Sequence, residues 1–273
     1  MTGTAIPAAT AIVCCLATSM GLRAQQLKPE TIHGFDCYVQ PAEARMEARK
    51  QFLLTDSDAA LRGQVMRGGK IQTVPANGPN PHQVPAGQLY DWIGAVLIPG
   101  ATMERTVHML QDYDHRASYF PEILSSSKLL CRSGATRFGF TMQLKEPAVI
   151  ETQNDVVWEQ VDAARWRCRS YSTGVREIGK NHGYLQRLYS YWRFHETDKG
   201  VLVEAETITL SGEFNSLSRA LGSMMGINPE KSLKRTLESM RDSVLNKNLQ
   251  IAPPPTGIAE CGEPVRPAAC DVR

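Results

Sequence analysis

Hydrophobic and polar positions along the chain repeat with two different periods. The cleanest alternation runs from Thr136 to Lys145. There Phe138, Phe140, Met142 and Leu144 share one face, and Arg137, Gly139, Thr141, Gln143 and Lys145 share the other, the period of a half-buried strand. Lys128–Cys131, Val149–Val161, Trp166–Ile178, the aromatic segment Tyr184–Thr197 and Val201–Leu210 read as further strands. Asp198-Lys199-Gly200 closes the last two into a hairpin, so about six antiparallel strands follow in a row. Upstream, the apolar run Asp91–Ile98, stopped by Pro99-Gly100, predicts a strand buried on both faces.

Two segments carry the helical period. Thr102 is placed to cap a helix from Met103 to about Tyr113, with Met103, Val107 and Leu110 on one face. Asn228-Pro229-Glu230 supplies a cap, a first-turn proline and a first-turn acid. Behind it Leu233, Leu237, Met240 and Val244 form a stripe that predicts one helix to about Lys247, with Lys234, Arg235, Glu238, Arg241 and Asp242 away from it. Before residue 88 the pattern is weaker. Pro41–Leu54 has helix propensity, Leu61–Met66 and Lys70–Val74 suggest short strands around Gly68-Gly69, and the Pro/Gly-rich stretch Pro75–Gly87 reads as a linker. The expected organisation is a leader at 1–24, an N-terminal appendage and linker at 25–87, a main domain at 88–248, and a mobile Pro-rich tail at 249–273.

Cysteines and the N-terminus bear on the compartment. Ala5–Gly21 is almost uncharged and ends near small Ala24, the pattern of a cleaved signal peptide, although Met1–Thr10 has no Lys or Arg. It is too short and interrupted to span a bilayer, which takes about 20 residues. Cleavage after Ala24 would remove Cys14 and Cys15 and predicts a periplasmic or secreted chain with no transmembrane segment. Of the remaining Cys37, Cys131, Cys168, Cys261 and Cys270, the last two lie in a short Pro/Gly-bearing tail and are the expected disulfide. A formal net charge of +2 argues against nucleic acid as the main partner.

A strand, a helical stretch, a run of long antiparallel strands and a C-terminal amphipathic helix are satisfied by a curved sheet wrapped around that helix, an α+β helix-grip architecture. The segments Trp92-Ile93-Gly94-Ala95 with Ile98-Pro99-Gly100, Asp112-Tyr113-Asp114 to Tyr119-Phe120-Pro121, Ser190-Tyr191-Trp192-Arg193 and Glu204-Ala205-Glu206 to Leu210 resemble the START-like, or SRPBCC, superfamily of polyketide cyclases, Bet v 1 proteins and lipid-transfer relatives, in an exported bacterial branch. The resemblance covers about Gly87–Lys247 and implies a hydrophobic ligand (lipid-like, quinone or polycyclic) between sheet and helix. Trp92, Phe138, Phe140, Met142, Trp192, Leu237 and Met240 are the expected ligand-contacting residues.

Catalytic signals are sparse. His108, Asp112 and His115 have one-face helical spacing that could suit a metal, but the neighbouring apolar stripe turns them outward, and no metal is expected. Ser125-Ser126-Ser127-Lys128 has a Ser-x-x-Lys spacing without its companion motifs. No cofactor motif is present. Glu204 and Glu206 share one strand face, about 7 Å apart. If that face lines the cavity, either could act as acid or base with Arg193, giving a cyclase- or dehydratase-like enzyme. If not, both are solvated; a further reading keeps one inside, paired with Arg193 or Arg187 on the preceding strand as a structural ion pair. A third reading, an envelope interaction module, would use the appendage and the tail.

Overall fold

The computed structural model describes residues 27–67, 69–124, 127–145, 148–179, 182–213, 228–252 and 256–270. The expected leader, its cleavage point and Ser125-Ser126 lie outside the described residues. One antiparallel sheet dominates. Its strands are β1 (Gln72–Pro75), β2 (His82–Val84), β3 (Gly87–Pro99), β4 (Lys128–Ser133), β5 (Arg137–Leu144), β6 (Ile150–Gln160), β7 (Arg165–Glu177), β8 (Arg187–Thr197) and β9 (Gly200–Gly212). They lie in the order β1-β3-β9-β8-β7-β6-β5-β4, with β2 also paired to β3. The helices are α1 (Pro29–Glu47), α2 (Leu54–Ser57), α3 (Ala59–Met66), α4 (Met103–Gln111), α5 (Arg116–Tyr119) and α6 (Pro229–Leu245). This is the helix-grip α+β fold.

The inner face of the sheet grips α6. Asn228 caps that helix by accepting from the Lys231 N–H at 3.1 Å. The stripe Leu233, Leu237, Met240 and Val244 is buried, as its spacing predicted, among Val96, Ile98, Val201, Val203, Ala205 and Phe194. Thr102 caps α4 in the expected way, its hydroxyl accepting from the Arg105 N–H.

The outer face is covered too, and here the N-terminal segment departs from expectation. The helix placed at Pro41–Leu54 begins at Pro29 and ends at Glu47. Its apolar positions Phe35, Val39, Ala42 and Met46 pack on Leu89, Tyr171, Tyr189, Ile208 and Leu210. Leu61–Met66 is the helix α3 rather than a strand, with Leu61 and Val65 buried against Ala95, Leu97 and Leu202. The stretch read as a linker includes β2, paired in register with Gly87–Leu89. β3 and β9 are therefore buried on both faces because each has a core on both sides.

The tail is fastened rather than free. The expected Cys261–Cys270 disulfide is absent; Cys131 pairs with Cys261 and Cys37 with Cys270. Cys168 is a buried free thiol. Just before Cys261 the tail lies along the β4 edge, where Arg132 N–H donates to Ala259 O, and between the bridges it reaches α1, where Gln40 donates to Ala268 O. No described helix is long and apolar enough to cross a membrane.

Candidate functional site

Along β9 the side chains alternate between two chemically different sites. Val201, Val203, Ala205, Thr207, Thr209 and Ser211 face inward; Leu202, Glu204, Glu206, Ile208 and Leu210 face outward. Glu204 and Glu206 thus lie on the face opposite α6, and the reading that placed them in a ligand cavity does not hold. Neither is solvated: both are buried under α1 and the segment that follows it. Arg49 Nη1 is 2.5 Å from Glu204 Oε1 and its Nη2 is 2.9 Å from Glu206 Oε2. Arg45 Nη2 is 2.5 Å from Glu206 Oε1 and 3.4 Å from Asp91 Oδ2. The Leu54 N–H donates to Glu204 Oε2 at 2.6 Å. Burial raises the Glu204 pKa, and the Arg49 guanidinium opposes that rise. Arg193, the expected helper, instead donates to the Met46 carbonyl at the end of α1. The expected ion pair put one carboxylate inside with a cation from β8; here both lie on the outer face and the cations come from α1 and the turn after it. This network clamps the N-terminal helix to the sheet, and all its acids are already paired.

The inward face holds a cavity of about 240 Å³ between the sheet, α4, α5 and the start of α6. That is slightly below the range of roughly 300–1,000 Å³ usual for drug-sized ligands. Of the residues expected to contact a ligand, Phe140, Met142, Trp192 and Met240 line it. Phe138 and Leu237 are buried in the surrounding core, and Trp92 is half-buried against it; the three lie outside the cavity wall. Leu110, Tyr113, Phe120, Ile123, Trp158, Phe194 and Leu233 supply most of the remaining apolar wall. The rings are ordered by contact: Tyr113 stacks on Phe140 at 4.5 Å between centroids, and Trp158 on Phe194 at 5.6 Å. Trp158 Nε1–H donates to the Tyr113 hydroxyl at 2.9 Å, which satisfies the polar edges of both rings.

Two polar features interrupt this wall. Ser170, Ser190 and Thr207 are paired in register across β7, β8 and β9 and all face the cavity, forming a belt of hydroxyls. The Ser190 hydroxyl accepts from Trp192 Nε1–H at 3.0 Å. One strand period away stand Cys168, Trp192 and Ala205. Cys168 lines the cavity, and burial raises its thiol pKa well above the ordinary value, so it is held neutral. The second feature is Arg116, at the start of α5, whose side chain also forms part of the wall. No spacing in the sequence singles it out, because its place among the Tyr113, Phe120 and Phe140 rings depends on tertiary packing.

The remaining sequence candidates are structural. Asp112 accepts from His115 Nδ1 at 2.8 Å, from the Tyr119 hydroxyl and from the Ala252 N–H. Among the described residues His108, Asp112 and His115 do not converge on a metal-sized site. His33, Cys37 and Cys270 lie close together, but both sulfurs are spent in a disulfide.

No protein-family model matches this chain, and no curated protein does. Solved structures share its general shape at low identity. A STAR-related lipid transfer protein fragment from Xanthomonas axonopodis is 15% identical, with a TM-score of 0.44 over 60% of this chain and 97% of its own. A START superfamily protein from Mycobacterium smegmatis is 8% identical, with a TM-score of 0.40 over 57% and 96%. The di-domain aromatase/cyclase BexL of the BE-7585A biosynthetic pathway is 14% identical, with a TM-score of 0.42 over 58% and 51%.

Proposed function

We propose that this chain is an exported binding protein that holds a hydrophobic small molecule between its sheet and α6. The observation that carries the reading is the cavity itself: about 240 Å³, walled by aromatic and aliphatic side chains, with a few hydroxyls fixed in register. Such a wall releases ordered water on filling and orients the ligand by few polar contacts. The paired carboxylates Glu204 and Glu206, the candidates for acid and base, lie on the other face, which favours carriage over catalysis. Two disulfides support an oxidising compartment, in line with the signal-like segment before Gln25.

Native mass spectrometry of protein purified without detergent tests this reading. A co-purifying mass that organic extraction removes is expected. A chain that is always empty and takes up no hydrophobic probe would refute it. The export part is read separately from the mature N-terminus, expected at Gln25.

A further inference from the structure

One cation stands in the cavity wall. Arg116 is enclosed by protein yet keeps accessible surface, as a side chain facing an internal cavity does. Its guanidinium carbon lies 5.2 Å from the Tyr113 ring centroid, 5.2 Å from that of Phe120 and 5.1 Å from that of Phe140. Nη1 donates to the Leu110 carbonyl at 3.3 Å. Nε is shut off from solvent with no acceptor among the described residues. The nearest acids are engaged elsewhere. Asp112 accepts from His115 and Tyr119, and Glu122 accepts from Thr236 at 3.1 Å and Ser239 at 3.4 Å. Ring faces offset part of the cost of burying a guanidinium, but they provide no acceptor for an orphan N–H. Arginine cannot shed its charge to escape that cost.

We infer that the cavity takes an amphiphile whose carboxylate docks on the Nη2 end of the Arg116 guanidinium, its apolar body lying along Phe140, Met142, Trp192 and Met240. This rests on the binding function proposed above. A charge-assisted pair there would give the buried guanidinium the anionic partner that the ring faces do not supply. A headgroup with more than one negative charge fits poorly. The other polar wall groups, such as Ser170, Ser190, Thr207 and Asn154, are neutral, and Glu122 contributes negative charge to the same wall.

Isothermal titration with decanoate and decan-1-ol at pH 8 tests the inference on the full chain and on Arg116→Met and Arg116→Lys. The wild type is expected to prefer decanoate by about tenfold or more, the scale of a charge-assisted pair in a dry site. Arg116→Met should lose that preference while still binding decan-1-ol, and Arg116→Lys should keep part of it. Equal affinity of the wild type for both compounds, or an undiminished preference in Arg116→Met, would overturn the headgroup assignment and leave the cavity reading standing. A wild type that binds neither compound would overturn both. If melting shows that Arg116→Met is unfolded, the wild-type comparison and Arg116→Lys decide.

Discussion

Gly94 on β3 lies directly beneath α6, and the absence of a side chain there sets how closely the helix approaches. A Cβ at this position would meet Leu237 Cδ1 at 2.6 Å and Leu233 Cδ2 at 3.1 Å. Gly94→Val should therefore overpack the contact and cost about 1–3 kcal/mol. Leu237→Ala should leave a cavity and cost about 2–5 kcal/mol. Because the two sites touch, Gly94→Ala combined with Leu237→Ala should cost less than the sum of the single changes in a denaturant titration. A strictly additive result would mean that the helix does not rest on position 94. Asp91 gives a second residue-scale test. It is completely buried and accepts from the Tyr38 hydroxyl at 3.0 Å, while its Oδ1 has no partner among the described residues. Burial, and then the neighbouring Glu206, push its pKa from 3.8 to about 7 against the pull of Tyr38 and Arg45. The folded chain thus keeps a proton that the unfolded chain gives up near 3.8. Between those limits the native state binds more protons, so the stability due to Asp91 is full at the acid end and declines as pH rises toward 7. Thermal melts from pH 4 to 8 should show a flatter pH dependence in Asp91→Asn than in the wild type. Parallel profiles would remove Asp91 as the cause.

At the scale of elements, α1 is held by both an apolar stripe and a set of buried charges. Arg49 is 14% exposed and both its carboxylate partners are nearly sealed. Arg49→Met would strand Glu204 and Glu206 without a shared cation, at a cost of about 3–5 kcal/mol. Arg167, which pairs with exposed Glu47 and Glu159, should cost within about 1 kcal/mol on truncation to Ala. Equal costs for the two changes in urea unfolding would contradict the clamp. The elements differed in how far they could be read beforehand, and the reasons are physical. α6 was legible because an Asn-Pro-Glu start and a one-sided stripe agree. The first half of α1 was not, although Phe35, Val39, Ala42 and Met46 recur at intervals of four, three and four. Pro41 suits a first turn and drew the start to itself, yet it sits inside the helix. In α3, Leu61 and Val65 already had helical spacing, but Gly68-Gly69 suggested a hairpin. On β9 the alternation was clear and its direction was not, because α1 makes the outer face as buried as the inner one.

On the scale of the whole molecule, the tail and the cavity depend on contacts distant in sequence. Cys261 and Cys270 are neighbours in the chain but bridge to opposite parts of the fold, at separations of 130 and 233 residues. Nearness in sequence was the only guide to pairing, and it could not show a tail that runs around the sheet edge. Non-reducing peptide mapping should recover Cys37–Cys270 and Cys131–Cys261. Cys131→Ser should cost about 2–5 kcal/mol and open the tail around residue 261 to protease; an unchanged digest and midpoint would contradict that role. The inward row of Phe140, Met142 and Trp192 was legible from strand alternation, whereas Arg116 and the hydroxyl belt needed the packing of α5 and the register of three strands. The central claim is that this row bounds a space that holds a hydrophobic molecule. Its most direct test is fluorescence titration of 1-anilinonaphthalene-8-sulfonate against the wild type and Ser170→Phe, which places a ring at the β7 end of the hydroxyl belt. The account predicts saturable uptake at one site per chain in the wild type and its loss in a folded Ser170→Phe; equal uptake by both proteins, or none by the wild type, would contradict it.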